Sequence, residues 1–83
     1  MIKLNKIKLL LEKLGFTVDV CFKRILFAKL EKKSSYYIKI EKDYKGYHLE
    51  FTEFINNNFG KTTKLESTKA KDIIDFFERQ NII

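Results

Sequence analysis

The chain has 83 residues and a mass of 9.9 kDa, which predicts one domain over residues 1–83 with a thin core. Apolar residues make up 45% and charged residues 34%, a balance typical of folded chains rather than disordered ones. No apolar run approaches the ~20 residues that cross a bilayer, and the N-terminus lacks a signal-peptide pattern. One cysteine and one histidine exclude an internal disulfide and a closed zinc site. We therefore expect a cytoplasmic protein with no metal, other cofactor or membrane partner.

Lysine and arginine outnumber acidic residues by 17 to 11, which leaves a net charge of +6. A strongly basic chain favours acidic partners such as nucleic acids. However, Lys, Ile, Phe, Asn and Tyr supply about half of the residues, and there is no Pro or Trp. AT-rich codons encode these five amino acids, so part of the lysine excess reflects genome composition. The composition fits a low-GC bacterium, its phage or its plasmid.

The first fifteen residues predict an amphipathic helix. Apolar residues recur at three- and four-residue steps, and Gly15 supplies a stop signal at the C-terminal cap. Leu9 is the one apolar residue that lies off this stripe. The stripe consists of Leu4, Ile7, Leu10, Leu11 and Leu14.

From Phe16 onwards the apolar period changes from 3.6 to 2, which predicts β-strands. Even-numbered positions through Leu30, Phe22 included, form the apolar side, and the pattern breaks at Arg24. Residues 16–30 are therefore either one strand bulged near residues 23–24 or two shorter strands with a tight turn there. The polar residues 31–35 predict a hairpin loop.

Two further strands are predicted over residues 36–42 and 47–54, joined by a four-residue turn at 43–46. Pairing Lys42 with Tyr47 places the apolar side chains of the two strands opposite each other on the inner face. The same register places Lys39 opposite Glu50 and Glu41 opposite His48 on the outer face, and both are favourable pairs. A two-residue turn would oppose Glu41 to Glu50, so the four-residue turn is favoured.

Residues 55–66 predict a loop, with room for a short edge strand in the second half. A final helix follows, capped by Thr68 or Ser67, with an apolar stripe at Ala70, Ile73, Ile74 and Phe77. Both helices have one apolar stripe and the sheet has one apolar face. The chain therefore predicts a two-layer α+β fold of order αβββα, with a three-stranded antiparallel sheet and both helices on one face.

This element order resembles that of the double-stranded-RNA-binding domain over the whole chain. The resemblance implies RNA contacts from the first helix, the loop after the first strand, and lysines opening the last helix. Lys69 and Lys71 stand in the first helical turn, where the helix dipole disfavours cations unless they help to hold a phosphate. The chain lacks the family's Gly-Ser-Lys-Lys-like block and its histidine. The predicted nucleic-acid-binding residues are Lys32, Lys33, Lys61, Lys64, Lys69 and Lys71.

Residues 7–16, with Leu-Leu-Glu-Lys-Leu-Gly-Phe at 10–16, are similar to the opening of HicA-like mRNA-cleaving toxins. The activity of those toxins rests on a histidine after a Gly-Ser pair. This sequence has Cys-Phe-Lys-Arg at 21–24 in that region, so the resemblance does not imply the toxin activity.

Catalysis is not predicted. His48 is expected on the outer face beside Glu41, with no Ser, Cys or second His placed beside it by the pattern. Cys21 is expected on the same face near Lys23, one cation among many. The sequence contains no glycine-rich phosphate loop, HExxH or CxxC motif.

An outward-facing apolar patch is predicted instead, with lysines at its rim. Phe76 and residues 82–83 are expected to add apolar surface outside the helix stripe. The patch suits either a homodimer or a foreign partner. Its predicted interface residues are Ile25, Phe27, Tyr37 and Phe54.

The predicted function is that of a small non-catalytic binding protein. Its size and composition resemble those of small anti-CRISPR and other phage or mobile-element proteins. We expect a regulator or inhibitor that occludes a surface of a host protein or nucleoprotein complex. The alternative is duplex nucleic-acid binding through the six lysines named above.

Overall fold

A computed structural model describes residues 3–31, 34–56 and 58–80, which contain two helices and five strands. The strands form one antiparallel sheet in the order β1-β2-β3-β4-β5, so each strand pairs with the next one along the chain. The α+β class agrees with the prediction, whereas the three-stranded αβββα order is wrong, and the likeness to the double-stranded-RNA-binding domain rested on that order. The elements are α1 (Lys3–Lys13), β1 (Thr17–Cys21), β2 (Ile25–Glu31), β3 (Ser34–Asp43), β4 (Gly46–Ile55), β5 (Asn58–Ser67) and α2 (Ala70–Arg79).

The first extra strand arises because the chain turns at residues 22–24. The N–H of Arg24 donates to the carbonyl of Cys21 at 3.2 Å, and both central residues, Phe22 and Lys23, have left-handed φ angles of 54° and 59°. Positive φ at both central positions is the signature of a type I′ turn. Phe22 is therefore 87% exposed at the turn and not inside, as its even position predicted.

The second extra strand is β5, which replaces the predicted loop at 55–66. It pairs with β4 from Tyr47–Ser67 to Ile55–Asn58, with a register shift between Glu53 and Phe54. β5 is an edge strand that presents only one large apolar residue, Leu65, to the helix side. It lacks the apolar alternation by which the other strands were recognised.

The predicted register of β3 and β4 is confirmed. Lys42 pairs with Tyr47, Ile40 with Leu49, and Glu41 with His48. The turn is stabilised by Asp43, whose Oδ1 accepts the backbone N–H groups of Lys45 at 2.8 Å and Gly46 at 3.2 Å.

The core lies between one face of the sheet and the two helices, with α1 against β1 and β2 and α2 against β4 and β5. Gly15, with φ of 99°, ends α1 in a Schellman motif, in which the N–H of Phe16 donates to Leu11 and that of Gly15 to Glu12. The buried residues are Leu4, Ile7, Leu11, Phe16, Leu26, Ala28, Ile38, Ile40, Tyr47, Leu49, Phe51, Ile73, Phe76 and Phe77.

The start and the exposed side of α2 differ from the prediction. Lys69 is the N-cap residue and makes no side-chain capping bond, while the Ser67 hydroxyl accepts the N–H of Lys69 and donates to Asp72. Phe76, expected at the surface, is buried with its ring edge-on to that of Phe51 at 5.6 Å. The predicted apolar residues 82–83 lie outside the described residues.

Candidate functional site

The outer face of the sheet, which faces away from both helices, carries the candidate site. Side chains alternate across a strand, so the odd-numbered residues of β1, β2 and β3 point outward and are joined by their partners on β4 and β5. Two rows of outward residues cross the middle of the sheet. One row is Thr17, Lys29, Tyr37, Thr52 and Thr62, and the other is Asp19, Phe27, Lys39, Glu50 and Lys64.

All four predicted interface residues lie on the outer face. Phe27 is 45% and Tyr37 is 38% exposed, while Ile25 and Phe54 are half-buried. The ring of Tyr37 meets that of Phe54 edge-on, with centroids 5.4 Å apart. Ile25 lies two residues before Phe27 on β2, towards the 22–24 turn.

Phe59 is an exposed aromatic residue of the outer face that the sequence did not predict there. It is 64% exposed on β5, and its ring meets that of Phe54 edge-on at 5.8 Å. Its position opposite Phe54 was hidden because residues 55–66 were predicted to be a loop. An aromatic residue five positions after Phe54, beyond three asparagines, was the one available signal of a cross-strand pair. We call Phe27, Tyr37, Phe54 and Phe59 the aromatic strip.

A shallow groove of about 390 Å³ runs over the outer face at the Phe27 and Tyr37 part of the aromatic strip. Phe27 and Tyr37 supply its apolar lining, and Asp19, Lys39 and Glu50 bring charge of both signs to it. Apolar lining with a few polar groups at the edge is typical of surfaces that receive a ligand or a partner.

Opposite charges lie side by side on the outer face, both across neighbouring strands and along β2. Glu50 lies between Lys39 on β3 and Lys64 on β5. Lys29 and Glu31 form an exposed ion pair at 3.7 Å. Exposed pairs of this kind contribute at most about 1 kcal/mol each to stability. The face is therefore polar at its rim without being strongly of one sign.

His48 is held between two carboxylates at one end of the outer face. Its Nε2 lies 3.0 Å from Asp43 Oδ2, and its Nδ1 lies 3.2 Å from Glu66 Oε2. The hydrogen bonds to Asp43 and then to Glu66 raise the pKa of His48 above its usual value, which favours a ring protonated on both nitrogens. Glu41 is opposite His48 in register, as predicted, but the ring contacts are made by Asp43 and Glu66.

Cys21 and His48 are too far apart to act together. They lie in the same row of the sheet, but β2 and β3 separate them, which corresponds to about 14 Å at the usual strand spacing. Within residues 3–31, 34–56 and 58–80, no three His, Cys, Asp or Glu side chains are grouped so that they could hold a metal ion. Neither described helix is long and apolar enough to cross a membrane.

The structure does not gather the predicted nucleic-acid-binding lysines on one surface. Lys61 and Lys64 lie on β5 opposite Glu53 and Glu50 respectively. Lys69 and Lys71 lie at the start of α2, and the β-strand rise puts Lys69 about 25 Å along the chain from Lys61. The remaining two, Lys32 and Lys33, fall outside the described residues.

Comparisons with known proteins add no information about the outer face. No family model matches the chain, and neither curated proteins nor solved structures give a significant match.

Proposed function

We propose that the chain is a non-catalytic binding protein whose outer face covers a surface of a larger host protein. This is the mode of action of a regulator or inhibitor carried by a phage or another mobile element. The observation that supports the proposal best is the aromatic strip. Large rings remain exposed on a face that neither helix nor β5 covers.

The energetics of association favour such a face. A buried aromatic side chain removes about 150–250 Å² from water, and aromatic anchors at the centre of an interface carry most of its binding energy. The threonines and charged residues that share the two rows with Tyr37 and Phe27 supply the polar rim that such anchors require. The strand backbone holds the rings in place, so little conformational freedom is lost on binding.

The expected occupant is an acidic protein surface rather than a second copy of the chain. Two copies each carry a net charge of +6 and repel each other at long range, whereas an acidic partner is attracted. The net charge of the chain attracts that partner, and the pattern of Lys29, Lys39 and Lys64 beside Glu31 and Glu50 would orient it on this face.

The test combines light scattering with affinity capture and a binding titration. The wild-type chain, Phe27→Asp and a control, Phe22→Ala, are immobilised and exposed to lysate of a low-GC bacterium. We expect an acidic protein retained by the wild type and the control but lost with Phe27→Asp. With that protein purified, calorimetry should show at least about a tenfold loss of affinity for Tyr37→Ala, as for an interface hot spot.

Two outcomes would contradict the proposal. A wild-type dimer in light scattering that Phe27→Asp dissociates would assign the outer face to self-association. Retention of the same protein with equal affinity by Phe27→Asp and Tyr37→Ala would remove the aromatic strip from the interface.

Duplex nucleic-acid binding has less support, because Lys61 and Lys64 face carboxylates and lie away from Lys69 and Lys71. It would require binding of a 25-base-pair duplex that weakens steeply with salt, with a log–log slope of about −0.9 per neutralised phosphate. Duplex binding would also require that the double variant Lys69→Glu, Lys71→Glu lose the binding and remain folded.

A further inference from the structure

A second exposed surface lies at one end of the sheet, away from the aromatic strip. In an antiparallel meander alternate turns fall at the same end, so the β1–β2 turn and the β3–β4 turn are neighbours. The N–H of Lys42 donates to the carbonyl of Arg24 at 2.8 Å and joins the two turns. Ser67 pairs with Tyr47, which brings the start of α2 to the same end. We call residues 22–24, 44–45 and 67–71 the hairpin end.

The two most exposed large hydrophobic side chains of the described residues are at the hairpin end. Phe22 is 87% and Tyr44 is 92% exposed, one at the tip of each turn. Neither ring contributes to the core. Phe22 also occupies a left-handed position at which Asn or Gly would be less strained. The turn accounts for the positive φ and for the exposure, but it does not account for a phenylalanine at a position that Asn or Gly would occupy with less strain, and such outliers gather at functional sites.

Cations surround both rings. Lys23 and Arg24 follow Phe22 in the turn, and the ammonium group of Lys45 lies 5.7 Å from the centroid of the Tyr44 ring. Lys42, Lys69 and Lys71 are exposed at the same end.

Most carboxylates at the hairpin end form hydrogen bonds or ion contacts with other residues of the protein. Asp43 accepts hydrogen bonds from Lys45, Gly46 and His48. Glu66 contacts His48, and Asp72 accepts from Ser67. Glu41 is the remaining carboxylate near this end, in register with His48 and Ile25. The six cations of this end outnumber these four carboxylates, so their charge is only partly offset.

The Tyr44 turn is held in one conformation. Asp43 accepts two backbone hydrogen bonds from the turn. The turn also lies so close to the segment before α2 that a Cβ on Gly46 would come within 2.4 Å of the Ser67 carbonyl oxygen. Gly46 has a φ of 132°, which also requires glycine. A fixed turn presents Tyr44 and Lys45 with a smaller backbone ordering penalty on binding.

We propose that the hairpin end binds single-stranded nucleic acid, with Phe22 and Tyr44 stacking on bases and the neighbouring cations contacting phosphates. Aromatic rings in a basic groove are the usual means of holding a single strand with little sequence preference. The two rings belong to hairpins whose turns are about 10 Å apart, two strand spacings. Exposed rings cannot stack on the paired bases of an intact duplex, and single strands offer unstacked bases. The site is separate from the outer face and does not depend on the function proposed for it.

A phospholipid surface fits the hairpin end less well. Membrane-inserting surfaces bury a substantial apolar area, and Phe22 is the single fully apolar side chain among the exposed aromatic and basic residues of this end. Lys23 and Arg24 directly follow it in the same turn, where insertion would desolvate them.

The test is fluorescence anisotropy with fluorescein-labelled 20-nucleotide single-stranded DNA and RNA of mixed sequence at 50 and 200 mM salt. We expect Phe22→Ala and Tyr44→Ala each to weaken binding about tenfold, as for loss of one base–aromatic stack. Lys45→Glu should weaken binding and reduce its salt dependence. The matched controls are Phe59→Ala and Lys13→Glu. Phe59 is an exposed ring on the outer face, and Lys13 is an exposed lysine at the C-terminal end of α1, at the opposite end of the sheet from the hairpin end. Both should bind as the wild type does.

A second variant separates binding from folding. Phe22→Asn with Lys23→Gly supplies the residues that a type I′ turn prefers, so the melting temperature should rise by about 4 °C. The same variant removes one ring and one cation, so binding should fall at least about tenfold.

The proposal is overturned by any of three results. The first is that the wild type binds neither oligonucleotide at up to about 100 μM protein. The second is that Phe22→Ala and Tyr44→Ala bind as tightly as the wild type does. The third is that the chain binds phosphatidylserine vesicles through Phe22 and Tyr44 and does not bind oligonucleotides.

Discussion

The two faces of the sheet are built by the same strands but use their apolar residues differently. On the inner face, Leu26, Ile40, Leu49 and Phe51 are buried under the helices. On the outer face, the aromatic strip stays partly in water beside threonines and oppositely charged residues that lie opposite each other on neighbouring strands. Burial against the helices accounts for the inner residues through the hydrophobic effect. The outer aromatic residues gain much less of this stabilisation, which is why they point to a partner.

The largest difference between the faces should appear in a pair of matched phenylalanine truncations. Phe51→Ala removes a buried ring that contacts Tyr36 and Phe76, and should lower the free energy of unfolding by about 3–5 kcal/mol. Phe27→Ala on the outer face should lower it by less than about 1 kcal/mol. Urea denaturation measures both, and a similar loss for the two variants would show that the outer face is covered in solution.

The inner face contains one polar atom that works against its apolar character. The hydroxyl of Tyr47 is buried and finds no hydrogen-bond partner among the described residues, and burial raises the pKa of this phenol. Tyr47→Phe removes the unsatisfied group and should raise the free energy of unfolding by about 1 kcal/mol. The control is Tyr44→Phe at the exposed turn, which should leave stability unchanged. A loss of stability in Tyr47→Phe would indicate that the hydroxyl has a partner in solution.

The charge pairs of the outer face should have a smaller effect. Glu50→Lys places a lysine between Lys39 and Lys64, and should lower the free energy of unfolding by about 0.5–1 kcal/mol. Glu78→Lys introduces the same change in charge near the C-terminus of α2, where the helix dipole favours cations. It should be neutral or slightly stabilising. Thermal denaturation at low salt compares the two variants. Equal losses of stability would mean that the change in net charge, and not the position of Glu50 between two lysines, causes the effect.

The pH dependence of His48 should be the smallest effect on stability. Its pKa in the folded state is raised by Asp43 and Glu66, so its stabilising contribution is complete below the ordinary value of 6.5. The contribution is lost as the pH rises through the folded pKa. An NMR titration should give a midpoint above 6.5 in the wild type and a lower one in Asp43→Asn. A midpoint at or below 6.5 would mean that the carboxylate contacts do not persist in solution.

Asp43 should respond at the opposite end of the pH range. Partial burial alone would raise the pKa of its carboxyl, but hydrogen bonds from Lys45, His48 and Gly46 lower it below 3.8. Its contribution is therefore present above 3.8 and disappears as the pH falls through the lowered value. Because the chain has a single histidine, the transition above pH 6.5 is easy to assign to His48.

The register of β3 and β4 was predictable because it depends on information within a short stretch. The alternation of apolar residues selects the inner face, and the Lys39–Glu50 pair distinguishes the register from the alternative that opposes two glutamates. Likewise, parity alone correctly placed Phe27 and Tyr37, two of the predicted interface residues, on the outer face. Parity survives the 22–24 turn because its odd number of residues keeps Cys21 and Ile25 in step.

The missed parts of the candidate site all depend on contacts between distant segments. Phe59 is an outer-face residue only because β5 pairs with β4, and the glycine and polar residues of β5 resemble a loop. The hairpin end exists because two turns and the start of α2 meet, although none of them has a distinctive sequence. Phe22 was expected inside because the 22–24 turn lacks the glycine or asparagine that usually marks one.

The sequence by itself determined the amphipathic helix ended by Gly15, the α+β class, and the pairing of β3 with β4. Each of these follows from a local period, a cap or a charge pair, which act over a few residues. Only the tertiary structure decided that the sheet has five strands, that Phe76 is buried, and that Phe22 and Phe59 are exposed. Strand pairing at a sheet edge and the burial of a ring depend on residues that are distant in the sequence. A local sequence pattern does not show which residues these are.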